Sequence, residues 1–431
     1  MRSIIAAGLT LSLALPAAAK PAKVTFTKDV APILQKHCQS CHRPGQIGPM
    51  PLLTYQQTRP WAAAIKEAVS TKRMPPWYAD RAHGTWANDR SLTQPEIDTL
   101  VAWAGAKAPE GKPKDLPKPA QFADGWLLGK PDAEFGLLEP FPVPASGEIN
   151  YQYFMVPTGL TEDKWIQSIE FHPGDPAVVH HVVIFMRPPG LKFLPNAKPG
   201  IPIPVPNSRL RTPVADDGKA RLEGLGEPEI LGTYTPGGST QVWAPGHAKL
   251  IKAGTDLMFQ MHYTATGKAS ADQSRVGLFW AKEPPQHRVR SIFISNRKLS
   301  IPAGAPNHEV KASATLPSDV TVTGLFPHMH VRGKAFQYKV TYPTGESEIL
   351  LSVPNYDFNW QLHYYPAKAL RLPKGTVVEC TAWYDNSPNK KGNPDPTVEV
   401  RWGDQSWEEM LAGFLDIVVP IEPARAVSSG E

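Results

Sequence analysis

Apolar residues along this chain follow two rhythms, and the change between them falls near residue 125. Before it the spacing is helical. Residues 27–34 predict a helix start, and residues 61–70 (WAAAIKEAVS) read as helix from their alanine content and apolar spacing. Ser91-Leu92-Thr93-Gln94-Pro95-Glu96 has a hydroxyl N-cap followed by an early proline and glutamate, and Ile97, Leu100, Val101 and Trp103 then supply one apolar face. Residues 106–125 (AKAPEGKPKDLPKPAQFADG) have no period and read as a linker. Beyond it come short apolar runs between Pro/Gly turns: Val182-Val183-Ile184-Phe185, Leu257-Met258-Phe259-Gln260-Met261, Val340-Thr341-Tyr342 and Val377-Val378-Glu379-Cys380-Thr381. Roughly 300 residues of this texture predict all-β, jelly-roll-like sandwich architecture in two successive domains. The expected organisation is a small all-α unit at 24–108, a linker at 109–125, a first β domain at 126–285 and a second at 286–422. Residues 191–240 read as a long Pro/Gly-rich loop insertion, and no fixed-period repeat is present.

Composition agrees with short elements. Proline supplies 47 of 431 residues, about twice the usual ~5%, which opposes long helices. A hydrophobic share of 41% supports real cores. The net charge of +5 is spread without a Lys/Arg block, so nothing points to nucleic acid. Met1-Arg2-Ser3, an apolar run from Ile4 to Leu15 and Ala17-Ala18-Ala19 read as an export signal over residues 1–19. The expected compartment is the periplasm. No second apolar stretch reaches 18 residues, so no membrane span is expected. Only three cysteines occur, at 38, 41 and 380, which predicts a disulfide-free fold.

Cys38-Gln39-Ser40-Cys41-His42 is a C-x-x-C-H sequence, the attachment site for one covalent haem c: two thiols bond the vinyl groups and the histidine ligates iron. Export is the context that such attachment needs. Met74, in Lys72-Arg73-Met74-Pro75-Pro76-Trp77, is the expected sixth ligand, with Met50 and then His83 as alternatives. Residues 24–108 resemble a minimal cytochrome c in plan.

A second metal signature lies in the β region. His180-His181, His262 and His328-Met329-His330 hold five of the 13 histidines. Residues two apart on a strand share a face, so His328 and His330 can grip one ion. Adjacent His180 and His181 point to opposite faces of a regular strand, and share an ion only if the backbone bulges or the rings use different nitrogens. Imidazole with thioether suits copper. The remaining His37, His172, His247, His287, His308 and His363 read as solvated or hydrogen-bonded side chains.

In this order the clusters resemble the copper type II, ascorbate-dependent monooxygenases, the family of dopamine β-monooxygenase and peptidylglycine α-hydroxylating monooxygenase. The resemblance covers about residues 126–420. It implies two copper ions, one on His180, His181 and His262, the other on His328, His330 and Met410, which lies in SWEEMLAGFLDI. It also implies dioxygen as co-substrate, hydroxylation of a C–H bond, and His328, His330 and Met410 as the catalytic set. Phe326 occupies the position where the peptide-directed member has an arginine, so a less polar substrate is expected than a glycine-extended peptide. Electrons are expected from a periplasmic donor, a cytochrome or an ascorbate-like reductant, relayed from a flexibly tethered haem to the first copper. The alternative is a non-catalytic, copper-binding cytochrome c electron carrier, and zinc at either site is a third possibility.

Overall fold

The computed structural model describes residues 23–421 apart from 124, 206–220, 224–227 and 239, so the expected export signal lies outside the described residues. The strands after residue 125 form two sandwiches that share one sheet. In the first, a five-stranded sheet runs in the order Ile203–Pro204, Gln152–Pro157, Asp256–Tyr263, Val179–Arg187, Glu229–Tyr234. Its inward residues Phe154, Val182, Ile184, Leu257 and Phe259 share a core with Ile166, Ile169, Val276 and Leu278 of the large sheet. In the second, a four-stranded sheet runs His308–Thr315, Val377–Tyr384, Gly333–Thr341, Ser347–Val353. Along Gly333–Thr341, Phe336, Tyr338 and Val340 are buried while Gln337, Lys339 and Thr341 are not, the period-two pattern of a strand with one wet face.

The large sheet has ten strands. Lys164–His172 pairs with His247–Ile251, which pairs in parallel with His287–Ser295; that strand pairs with Ala412–Pro420, which pairs with Val320–His328. The parallel step is the seam between the halves. Strands beyond it feed both cores: Val289 and Val418 sit in the first, Ile292, Ile294, Leu415 and Ile417 in the second. Residues 229–234, read from sequence as part of a loop insertion, are a strand of the five-stranded sheet.

The expectation of a small all-α cytochrome c domain ahead of two all-β domains is not met. The chain is mainly β sandwich, 37% strand and 11% helix. Residues 24–108 hold three α-helices of seven residues or more, Ala31–His37, Ala62–Ser70 and Gln94–Gly105. Phe26, Leu34, Leu100 and Trp103 gather in a small apolar cluster. The connecting loop is spent elsewhere. Trp77 and Ala79 belong to the core of the second sandwich, and Trp77 and Trp86 pack edge-on against Tyr364. Asp80 N–H donates to the Ser352 carbonyl, Asn88 exchanges hydrogen bonds with His363 and Tyr365, and Arg90 donates to the Gly237 carbonyl. Proline-broken helices this short bury too little surface to close an independent domain, so the segment borrows the β cores. The expected linker is also anchored, through Phe26 N–H to the Pro109 carbonyl and Gln35 to the Lys118 carbonyl. Among the described residues no helix is long and apolar enough to cross a membrane.

Candidate metal centre

The adjacent histidines are brought to one side by a β-bulge. Strands Val179–Arg187 and Asp256–Tyr263 are antiparallel, with His262 opposite His181 but Tyr263 opposite Val179. His180 is thus the extra residue, and looping it out turns its ring towards that of His181. His180 Nδ1 lies 3.1 Å from His181 Nδ1, and His262 Nδ1 lies 3.3 Å from the same atom. Nitrogens at ~2.0 Å from a tetrahedral ion stand ~3.3 Å apart. Two of the three nitrogen pairs thus stand at coordination spacing, and the three ligand atoms all lie within 4.8 Å of one another.

His328 ends the strand Val320–His328, and His330 follows in the turn; their ring centroids are 5.1 Å apart at 85°. Partners fix both rings. His328 Nδ1 meets Gln361 Oε1 at 2.6 Å, and His330 Nδ1 meets the Glu408 carbonyl at 3.1 Å. A ring that donates from Nδ1 keeps its lone pair on Nε2, the arrangement of a metal-ready imidazole. Glu409 adds a brace: its carboxylate accepts from His330 N–H at 2.8 Å and Arg332 N–H at 2.6 Å. The acidic pair ahead of Met410 is therefore committed to holding His330. Met410 is half-buried and comes next in the chain, with its carbonyl accepting from the Tyr384 hydroxyl.

The resemblance led us to expect two separate pockets; the rings instead form one continuous cluster. His181 and His328 have centroids 5.8 Å apart. Tyr151 lies between the groups, 4.3 Å from His262, 5.3 Å from His181 and 6.4 Å from His330. Phe358 stacks on His180 at 4.6 Å. His262 Nε2 reaches Ser406 Oγ at 2.9 Å. Because the sandwiches share strands, their facing edges meet where the histidines lie. Of the supporting residues Tyr151, Phe358, Gln361, Ser406, Glu408 and Glu409, most are not singled out by the sequence. Only the Glu-Glu pair before Met410 had drawn notice, and nothing in the spacing of the others marks them.

Burial holds all five rings neutral. It lowers His180 and His328 to about 4, and takes His181, His262 and His330 well below the ordinary histidine value, with the neighbouring rings adding repulsion. A cleft of about 1550 Å³ opens onto His180 and His262, walled by Trp77, Tyr78, Tyr356, Phe358 and Trp407.

At the C-x-x-C-H sequence, the chain leaves helix Ala31–His37 through Cys38, whose carbonyl accepts from Cys41 N–H and His42 N–H. This turn gathers both thiols and the ring. His42 Nδ1 meets the Met50 carbonyl at 3.1 Å, leaving Nε2 for a ligand. Both cysteines are unpaired, and burial pushes Cys38 up to about 12. Gly48 packs so closely that a methyl there would come within 2.9 Å of His42. Met74 lines the large cleft, whose walls include none of Cys38, Cys41 or His42. His83 lies in the same loop, with its N–H donating to the Asp80 carbonyl.

No family model and no curated protein matches the chain. Among solved structures it is similar to the major capsid protein P2 of bacteriophage PM2, at 7% identity over 68% of this chain and 99% of that one, TM-score 0.26. It is similar to PNGF-II at 8% identity over 66% and 65%, TM-score 0.28. A structure of the infectious bursal disease virus Gx strain follows at 9% identity over 67% and 72%, TM-score 0.18. Likenesses this loose carry no argument.

Proposed function

We propose that this chain is an exported copper oxygenase that hydroxylates a C–H bond of a small organic molecule with dioxygen, drawing electrons through a covalently attached haem c. The observation that supports it most is the convergence of five neutral imidazoles, from segments up to 150 positions apart, into one buried cluster beside a large aromatic-walled cleft. The donor set suits copper: two nitrogen pairs of the trio stand at coordination spacing, and His328 and His330 offer a second imidazole pair. His180, His181 and His262 would hold one ion, His328 and His330 with Met410 the other, and Cys38, Cys41 and His42 the haem. The chemistry these groups supply when bound is one-electron exchange and activation of dioxygen.

The chain's own residues do the rest. Gln361 and the Glu408 carbonyl orient the pair, Ser406 orients His262, and Glu409 pins the backbone at His330. Tyr151 and Phe358 keep the space among the rings dry. The walls formed by Trp77, Tyr78, Tyr356 and Trp407 suit an apolar or aromatic substrate. The anchored loop and linker replace the flexible tether as the means of holding the C-x-x-C-H turn near the β region.

The test is metal and haem content with isotope-labelled dioxygen. An oxygenase holds two coppers and one haem per chain and places labelled oxygen in an organic product, and Met410→Ile abolishes that incorporation. A chain that cycles its haem and copper with a periplasmic donor yet incorporates no oxygen is an electron carrier. Zinc in place of copper sinks both.

A further inference from the structure

We propose that His247 and His287 form a metal site of their own, a two-imidazole clip for a divalent copper, nickel or zinc ion across the seam of the ten-stranded sheet. This inference does not rest on the oxygenase reading. Both residues were read from sequence as solvated singles, because 40 positions separate them and neither lies in a motif.

The fold pairs them directly. Strands His247–Ile251 and His287–Ser295 run parallel, with His247 opposite His287 and Ala248 opposite Arg288. Side chains level with one another on adjacent strands project from the same face, about 4.8 Å apart at the backbone. The ring centroids stand 5.1 Å apart at 72°. That equals the 5.1 Å of His328 and His330, and falls inside the 4.8–5.4 Å range of the trio. Both residues are half-buried, so an ion can reach the rim. Among the described residues no hydrogen bond occupies either ring.

The backbone keeps the pair together. Gln286 and His287 N–H groups both donate to the Gly246 carbonyl, and Ile421 N–H donates to the Gln286 carbonyl. Holding two imidazoles in place removes most of the ordering cost of chelation, and water fills the remaining positions of the ion. The first half of the sheet is joined to the second at this step, so an ion bound there links strands from both. It binds only the folded chain and stabilises it by mass action.

The probe is nickel, added to the metal-stripped full-length protein. Equilibrium dialysis on the wild type, His247→Gln, His287→Gln and the control His308→Gln counts the ions bound. Each of the first two variants should bind one nickel fewer than the wild type, or bind that ion at least tenfold more weakly, and should lose part of the nickel-induced rise in unfolding midpoint. The control should match the wild type. Circular dichroism in the absence of metal checks that all variants are folded, and a copper(II) resonance spectrum that loses one nitrogen-split component in either variant, and none in the control, gives a second readout. Wild-type stoichiometry and affinity in either variant, or an equal loss in the control, overturns the proposal.

Discussion

Replacing Trp77 by alanine tests whether the loop before the third long helix is part of the β core or a cover laid over it. The side chain is 8% exposed and packs edge-on against Tyr364, with centroids 5.0 Å apart. Burying ~200 Å² of indole at ~25 cal/mol per Å² gives ~5 kcal/mol. Compact denatured chains already hide part of that area, which brings the figure to about 3–4 kcal/mol. Tryptophan-to-alanine changes in cores cost about 3–5 kcal/mol, in line with that sum. The assay is urea unfolding followed by far-ultraviolet circular dichroism at the sheet band, with Trp61→Ala, 42% exposed, as the control expected to change stability by less than about 0.5 kcal/mol. A second measurement is protease cleavage within residues 71–90, which should accelerate in the Trp77 variant. If Trp77→Ala leaves the unfolding midpoint within the control's range, the second sandwich closes without the loop and the assignment of Trp77 to its core is wrong.

Three further outcomes are expected. Burial lowers His363 to about 4, so the folded state prefers the neutral ring; stability is full above about pH 6.5 and declines as pH falls towards 4, by at most ~3 kcal/mol. His363→Phe should remove its share of that decline, the rest coming from the five clustered rings, and an unchanged acid slope in denaturant titrations at pH 7 and pH 4 would count against it. A methyl at Gly413 would stand 2.3 Å from Cys380 Sγ, so Gly413→Ala should destabilise by about 1–3 kcal/mol; Cys380→Ala in the same chain should recover much of the loss, as read by a double-mutant cycle. Copper at 100-fold over its dissociation constant should raise stability by about 2.7 kcal/mol. With His262→Ala the share owed to the trio should vanish while metal on His328 and His330 persists, as metal analysis and thermal unfolding will report.

How much of this was legible in the chain depends on the range of the interactions. Alternation along 333–341 is written in adjacent residues, and so the strand was readable. The histidine clusters could be read as clusters because two of them are contiguous. The bulge at His180 was foreseeable only as a condition, since the register that creates it is set by His262 and Tyr263 some 80 positions later. Trp77 sits in a Pro-bounded loop, and only the fold shows which core it fills, because its partner Tyr364 lies more than 200 positions away. The small all-α domain failed on that point. Gln361 and Tyr151 occupy ordinary polar and aromatic positions in sequence, and only the fold sets them against imidazoles. The pairing of His247 with His287 was hidden in the same way, because a parallel register leaves no local trace.

The strands His287–Ser295 and Ala412–Pro420 donate one end to each hydrophobic interior. Rigid-body parting of the sandwiches would require tearing those ladders, so the histidine groups cannot draw apart and close again around a guest. The approach is the cleft that already opens onto His180 and His262. Phe358, seated on His180 and half-buried at the cleft, borders that approach. A molecule entering would find the spacing among the rings already set by the frame.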